Sequence, residues 1–416
     1  MAQLSDDCFA FGGTLMSVEE AQALIAERIP PADGTEAVAL PEARGRILAA
    51  DLLAPVALPP FFNAAVDGWA FRHDDLSEGA MTRLEESGRV AAGHVPVRPV
   101  GPGEAVRVFT GAPMPGGTDT CVMQEDVRRD GRGLLIPPGL KRGANARPAG
   151  EDVAKGALAL AAGQRLGPAE IGLAAALGQA ALGVRPKPRI GVFSTGDELA
   201  EPGRRLGPAQ TYDSNRFTLL ALLGGLPCVA TDLGILPDSA NRTASALEAA
   251  ARGHDLLLTS GGVSTGEEDH VRAAIQAAGS LVFWRLAVKP GRPAAMGVVA
   301  GTPVVGLPGN PVAAVVCFLH LARPLLLRLA GAAEAPLPRY AAVADFACRK
   351  KAGRREYLRV TIRTEDGATR AQRFPREGAG LLTSLTQSHG FVELSEAVTE
   401  VAPGDAVTVI PFAGLL

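Results

Sequence analysis

The chain has 416 residues, more than one hydrophobic core organises, so several domains are expected. A formal charge of −3 with dispersed basic residues excludes the footprint of a sequence-independent nucleic-acid binder. Five cysteines (Cys8, Cys121, Cys228, Cys317, Cys348), odd in number and far apart, argue against a disulfide framework, and without a C-x-x-C or a histidine cluster a structural zinc site is not expected either.

The N-terminal MAQLSDDCFAFGG carries early acids and no basic, then apolar, order, so it does not read as a secretory signal, and a cytoplasmic protein is expected. Ser17, followed by Glu20 and by Ala21, Leu24, Ile25 and Ile29 at helical spacing, is a capping box opening an amphipathic helix. A second helix is predicted over 42–53, and a third over 167–178. Between them the texture turns to short β-like runs such as 105–110 and 120–124, broken by Gly and Pro. The reading is a helical domain made of 1–54 and 150–184, with a β-rich domain, 55–149, inserted into it.

Prolines in GVRPKP mark a linker, and from Arg189 strand and helix patterns alternate. That predicts an α/β domain over 187–332 with a mostly parallel sheet between helix layers, its ligands at the carboxyl ends of the strands. The most hydrophobic segment, 312–331, is interrupted by His320, Arg323, Pro324 and Arg328, so it reads as a buried helix kinked or broken near Pro324 rather than a membrane span. Period-2 alternation in REYLRVTIRTEDG and EVAPGDAVTVIPF predicts a small antiparallel β domain over 335–416.

Chemistry concentrates in loops. In DLLLTSGGVSTGEEDH an apolar strand meets Gly261, Gly262 and Gly266, whose backbone can bring N–H groups to an anion before a helix begins beyond Asp269. Glu267, Glu268 and Asp269 would repel that anion unless a hard cation such as Mg²⁺ stood between them, so the loop reads as metal-assisted phosphate chemistry. STGDEL follows the first strand at the same sheet edge: Ser194 and Thr195 could donate to phosphate, and Asp197 and Glu198 could hold a metal, although an N-cap Asp in an ordinary βα turn explains the motif as well. GLPGNPVAA supplies Pro308, Gly309 and Asn310, for which an Asn N-cap with Pro at the first helical position is a complete alternative. AVKPGRP offers Lys289 and Arg292 against oxyanion charge, or else a solvated hairpin tip. In the insertion, NAAVDGWA places Asp67 in what could be a plain Asp-Gly hairpin, and NARPAGEDV offers Arg147, Glu151 and Asp152, or else a surface salt bridge. Asp238 could be only a helix-start acid. A G-x-S-x-G elbow, a Walker A sequence and a strand-to-helix G-x-G-x-x-G are all missing, so serine hydrolase, P-loop NTPase and dinucleotide dehydrogenase lack their sites.

Seven of these segments, in order, resemble the molybdopterin molybdenumtransferase family, which includes the C-terminal domain of gephyrin: PPFFNAAVDGWA, TGAPMPGGTDTCVMQED, NARPAGEDV, STGDEL, TSGGVSTGEEDH, AVKPGRP and GLPGNPVAA. The likeness covers nearly the whole chain. It implies a helical segment, an inserted β domain, a three-layer α/β/α molybdopterin-binding domain and a C-terminal β barrel, in a homodimer whose active site lies between the α/β domain of one subunit and the insertion of the other. The implied reaction takes adenylylated molybdopterin and molybdate, with Mg²⁺ or a similar cation, to molybdenum cofactor and AMP, and implies as partners the molybdopterin adenylyltransferase and molybdoenzyme maturation proteins. By motif position Asp67, Thr110, Arg147 and Asp152 come from the insertion, and Asp197, Glu198, Asp238, Asp269 and Lys289 from the α/β domain. The resemblance assigns Glu198 and Asp269 to metal or pyrophosphate, Lys289 and Arg147 to oxyanion, and Ser260, Gly261, Gly262, Val263 and Ser264 to the pterin and its phosphate. Ser194, Thr195, Gly196, Pro308, Gly309, Asn310, Arg285, Arg292 and Ser384 complete the implied substrate-binding set. Phe62, Ala64, Val66, Arg285 and Arg292 depart from the family pattern, and tungstate stays open beside molybdate. A non-catalytic pterin-binding scaffold and the adenylyltransferase itself are the alternatives; the insertion argues against the latter, which is the α/β domain alone.

Overall fold

The computed structural model describes residues 15–31, 33–131, 133–236, 240–262, 270–283, 285–333 and 336–416. Helix α1 (Val18–Arg28) opens with the expected capping box: Ser17 Oγ accepts from the Glu20 N–H at 3.1 Å, and the Glu20 carboxylate accepts from the Ser17 N–H at 2.7 Å. Its buried residues, Val18, Ala21 and Ile25, join the core of the α/β region.

The helix expected over 42–53 does not form. A 3-10 turn at Leu40–Glu42 gives way to Gly45 at a φ of 78°, and the backbone then pairs with a segment more than a hundred residues away. Leu48 N donates to Gln164 O, Ala49 N to Gly183 O, and Arg185 N to Ile47 O. Ala43, Ile47 and Leu48 are buried, but long-range pairing uses the amides a helix would need. Strands β1 (Glu36–Ala39) and β2 (Leu52–Leu53) are thereby held to the second segment, described below. The inserted region holds β3 (Asn63–Ala64), β4 (Gly68–Phe71), β5 (Thr82–Val90), β6 (Glu104–Val108), β7 (Thr120–Met123), β8 (Arg128–Asp130), β9 (Gly133–Ile136) and β10 (Ala146–Arg147). Six of them form a sheet in the order β7-β4-β6-β5-β9-β8, while β3 pairs with β10. The chain returns through β11 (Leu158–Leu160), α2 (Pro168–Ala176) and β12 (Ala181–Val184), where β11 pairs with β2 and β12 with β1. The two segments flanking the insertion thus close on each other through antiparallel ribbons, with α2 the helix between them.

The α/β region contains β13 (Arg189–Thr195), β14 (Leu199–Ala200), β15 (Thr211–Tyr212), α3 (Asn215–Gly224), β16 (Val229–Leu236), α4 (Ala240–Ala251), β17 (Leu256–Ser260), α5 (His270–Ala278), β18 (Gly279–Phe283), β19 (Val288–Lys289), β20 (Ala295–Val299), β21 (Thr302–Leu307) and the long helix α6 (Pro311–Leu329). Its sheet runs β16-β13-β17-β21-β20-β18; the first four strands are parallel, and β20 runs antiparallel to both its neighbours, β21 and β18. Alternate residues serve opposite layers: Ile190, Val192, Leu256 and Leu258 pack with α3 and α6, Phe193 and Leu257 with α4 and α5. Helix α6 has the length and hydropathy to cross a membrane, but 83% of that window is buried inside the molecule, as in a core helix. It does not break at Pro324. A π-helical turn over Phe318–Ala322 absorbs the proline, and the His320 carbonyl, which an amide at 324 would have satisfied, accepts from Gln22 Nε2 of α1 at 3.0 Å.

The C-terminal region holds β22 (Tyr340–Ala344), β23 (Cys348–Arg349), β24 (Arg355–Glu365), β25 (Ala368–Arg373), β26 (Gly390–Leu394), β27 (Glu400–Val401) and β28 (Ala406–Pro411). Strands β24-β25-β22-β28-β26 close into a small barrel through the β24–β26 pairing. Strand β19 adds to β24 in parallel, tying barrel to α/β sheet. Tyr357, Phe391, Ile410 and Phe412 continue the α/β core into the barrel, and the Tyr357 ring centroid lies 4.6 Å from that of buried His320. Burial pushes the His320 imidazole down to about 3.

Candidate active site

The carboxyl ends of β13, β17 and β21 fall side by side, with Ser194 in register with Ser260 and Ser260 with Leu307. The loops they feed touch. A Cβ on Gly261 would lie 2.8 Å from the Thr195 carbonyl oxygen, and one on Gly262 2.5 Å from Val271 Cγ2, so only glycine fits, at φ values of 92° and 66°. Asn215, at the start of α3, fastens two loops together: its Nδ2 donates to Ser260 Oγ at 2.8 Å and to the Gly309 carbonyl at 2.7 Å. Ser260 Oγ in turn lies 3.3 Å from the Pro308 carbonyl. Ser194 Oγ, Thr195 Oγ1, Thr259 Oγ1 and Asn215 Oδ1 are buried without a hydrogen-bond partner. Each such group, if left without a partner, costs on the order of 1–3 kcal/mol, and three at the ends of β13 and β17 with one at the start of α3 give this edge hydrogen-bonding capacity that the fold itself does not use.

Asp197 and Glu198 are exposed on the first loop, Glu198 folded over Gly196 so closely that a Cβ there would meet its carboxylate at 2.5 Å. Arg216, 2% exposed, pairs with Asp213 at 2.9 Å, with Glu201 at 2.6 Å and with Asp232. Burial alone would lower the Arg216 guanidinium, but its three carboxylate partners raise it well above the usual arginine range. This network locks the end of β14 to the first turn of α3, and so holds Asn215 in place. Asn310 occupies the N-cap of α6, yet its side chain makes no capping bond, so the capping alternative accounts for Pro311 and not for the Asn310 amide. Asp238, Val263, Ser264 and Asp269 lie outside the described residues, as do Glu267 and Glu268.

The Lys289 turn is not a solvated hairpin tip. Gly291, at a φ of 121°, packs so that a Cβ would lie 2.6 Å from Cys317 Sγ, and Leu286 N donates to Arg292 O at 3.0 Å. Lys289 Nζ reaches Glu356 Oε2 of the barrel at 3.2 Å. A cavity of about 180 Å³ opens at this seam, with Lys289, Arg359, Arg373 and Arg376 in its wall against two carboxylates, Glu356 and Glu377, the latter paired with Arg373. Arg359 is 9% exposed, its Nε is unpartnered, and burial with neighbouring Arg373 lowers its guanidinium below the ordinary value. A buried cation beside other cations is suited to an oxyanion. Arg285 is half-buried beside this turn and Arg292 exposed. Ser384 is buried with its hydroxyl donated to the Leu381 carbonyl at 2.6 Å, whereas buried Ser388 has an unpartnered Oγ.

In the insertion, Asp67 is not a hairpin turn. It precedes Gly68 of β4, where a Cβ would collide with the Val122 carbonyl, and its Oδ1 accepts from both N and Oγ1 of Thr110 at 2.8 Å. Those bonds, backbone first, hold the Asp67 carboxyl below its usual range. Strand β3 pairs Asn63 with Arg147, bringing Arg147 to the same end of the insertion. Arg147 pairs with Glu151 at 2.8 Å, both half exposed, so the expected surface ion pair exists. Asp152 is exposed, its N–H donated to the Leu58 carbonyl at 3.0 Å. Among the described residues no side-chain bond joins Asp67, Thr110, Arg147 or Asp152 to the sheet edge. Sequence reasoning missed Asn215, Arg216, Arg359, Arg373, Arg376 and Ser388. The run YDSNRF between strand and helix was the one available signal for the first two.

Comparison with known proteins gives one answer along the chain. Residues 16–178 match the MoeA N-terminal region (domain I and II), 191–328 a probable molybdopterin binding domain, and 341–412 the MoeA C-terminal region (domain IV). A molybdopterin molybdenumtransferase of Haemophilus influenzae is 38% identical over 406 residues, covering 97% of this chain and 100% of that protein. Molybdopterin molybdenumtransferase 2 of Mycobacterium tuberculosis is 35% identical over 95% of this chain and 99% of its own length. The crystal structure of the molybdopterin biosynthesis moeA protein of Pyrococcus horikoshii superposes with a TM-score of 0.80 at 29% identity, over 95% of this chain and 99% of that one.

Proposed function

The chain belongs to the molybdopterin molybdenumtransferase family, and from that premise we propose how its residues divide the work. It inserts molybdenum into molybdopterin in molybdenum cofactor biosynthesis. In the proposed reaction the pterin arrives adenylylated, molybdate is delivered to its dithiolene, and AMP leaves. The observation that carries the reading is the convergence of three glycine-lined strand ends beside the cationic seam cavity at Lys289.

The strand-end loops, Ser194 to Asp197, Ser260 to Ser264 and Pro308 to Asn310, hold the pterin and its phosphate, with Asn215 fixing the spacing of the last two. Lys289, with Arg359, Arg373 and Arg376, binds the tetrahedral oxyanion, and Arg285 and Arg292 add charge around it. Tungstate would fit the same donors. A hard cation such as Mg²⁺ suits exposed Glu198, because Mg²⁺ takes one or two carboxylates together with substrate phosphates and waters. Among the described residues no group of three or more candidate metal ligands occurs, so Glu198 would share the ion with Asp269 and the substrate's own oxygens. When bound, the cation neutralises pyrophosphate charge. Asp67, kept ionised by Thr110, is the carboxylate that orients or deprotonates the attacking group, and Arg147 and Asp152 shape the pocket beside it. Asp238 is placed with the α/β acids by motif alone, and Ser384 in the barrel acts through the loop it pins.

Because the insertion acids and the sheet edge do not meet through these side chains within one chain, the reading takes the protein as a homodimer, each site completed by the partner's insertion. It acts in the cytoplasm, receiving substrate from an adenylyltransferase and passing cofactor to molybdoenzyme maturation partners. The test is AMP release by the purified protein from adenylylated molybdopterin with Mg²⁺ and molybdate or tungstate. Release that Asp269→Asn abolishes supports the reading; unchanged release in that variant removes Asp269 from the mechanism.

A further inference from the structure

One acid in the wall of the seam cavity is not accounted for by oxyanion binding. Glu356 is buried in β24, where its register partner in β19 is Lys289, and its Oε2 lies 3.2 Å from the Lys289 ammonium. A buried carboxylate in a cavity that takes an anion needs a reason, because it repels the ligand that the cations attract. Fastening the two strands is not that reason. Arg355 N already donates to the Ala287 carbonyl at 2.8 Å, and Gly291, just beyond β19, is held against Cys317, whose Sγ donates to its carbonyl at 3.2 Å. The wall carries Lys289, Arg359, Arg373 and Arg376 against Glu356 and Glu377, which leaves two positive charges to face a tetrahedral dianion. The two acids do not weigh equally. The Glu377 side chain is 75% exposed and its charge is screened by water, whereas that of Glu356 is 5% exposed and acts through protein. Lys289 is half-exposed on a flexible stem, so within this pair the ammonium is the group able to turn toward an anion.

We propose that Glu356 is a positioning residue that competes with the oxyanion for Lys289, and so limits how tightly the cavity holds a tetrahedral dianion. The proposal rests on the reading of this cavity as the oxyanion site. When Lys289 turns to the anion, Glu356 loses its cation while still nearly buried, and that cost opposes binding. A transferase gains from such a limit. Its oxyanion is cargo to be given up to the dithiolene, and binding that is equally strong before and during transfer lowers KM without raising kcat. With four cations and no buried acid, the cavity would hold the anion in its ground state and slow its departure. A purely structural ion pair predicts the opposite sign, since removing the Glu356 charge would then loosen the Lys289 turn and weaken the site.

The test is calorimetric titration of the full-length protein with molybdate, without pterin. Glu356→Gln keeps the shape of the side chain and an acceptor for Lys289 while removing the charge, and is expected to tighten molybdate binding by about tenfold or more. Glu377→Gln, at the exposed acid, is expected to change it by less than about threefold. In AMP release, Glu356→Gln is expected to lower KM for molybdate and kcat together, whereas a folding defect removes active sites without lowering KM. The double variant Lys289→Gln, Glu356→Gln leaves no stranded charge in this pair and is expected to bind molybdate more tightly than Lys289→Gln alone. Weaker or unchanged binding in Glu356→Gln, or equal binding in the last two variants, would overturn the role of Glu356 and leave the oxyanion reading in place. Wild-type protein that takes up no molybdate would remove that reading, and the proposal with it.

Discussion

The sheet edge and the insertion end hold the candidate residues in opposite ways. At the sheet edge the loops are packed through glycine, cross-tied by Asn215 and braced by Arg216, whose side chain is almost wholly buried. At the insertion end, Asp67 with Thr110 and Arg147 with Glu151 are local pairs near solvent. One region fixes geometry at the expense of unsatisfied buried oxygens, and the other presents charge with little invested in holding it. Rigid positioning and exposed charge thus lie in different parts of the chain, the division that the proposed shared site requires.

The largest break in that contrast is expected at Arg216. Arg216→Ala strands the Asp213 carboxylate, 1% exposed, and should cost about 3–5 kcal/mol in urea unfolding. Arg147→Ala should cost under about 1 kcal/mol, since its partner is exposed, while impairing AMP release. Equal stability losses would erase the distinction. A smaller effect is expected at the seam with the barrel. His320 is held near 3 when folded and titrates near 6.5 when unfolded, so between those values the unfolded chain binds more protons. Its contribution to stability is therefore complete above about pH 6.5 and falls with pH, by at most about 1.4 kcal/mol per unit. A His320→Gln variant should show a shallower loss of melting temperature from pH 7 to 5; an identical slope would take His320 out of the acid response. The smallest stability effect is expected for Thr110→Val, whose exposed site should leave the melting temperature nearly unchanged while raising the pH at which Asp67 ionises. An acid limb of the AMP-release profile that does not move would separate Thr110 from Asp67.

Much of this was legible in residue order. The parallel sheet followed from alternating apolar runs and helical spacing, and the strand-end loops from glycine next to Ser, Thr and acid. What failed was what depends on distant pairing. Residues 42–53 carry buried apolar positions at near-helical spacing, yet their amides bond to 164–185. Arg359 lies on an alternating strand seventy residues from Lys289 in the chain, and only the pairing of β19 with β24 puts the two beside one cavity. Asn215 lies on no glycine loop, so its role shows only when α3 is seen against β17 and β21.

The most direct test of the central claim is subunit complementation between Asp67→Asn, expected to disable the insertion end, and Glu198→Gln, expected to disable the sheet edge. Each variant alone should release little AMP. Mixed dimers formed by co-expression should recover activity, up to about a quarter of wild type for random pairing, because one of the two sites in each heterodimer then has both halves intact. No recovery in verified heterodimers would place both halves in the same subunit and contradict the shared site.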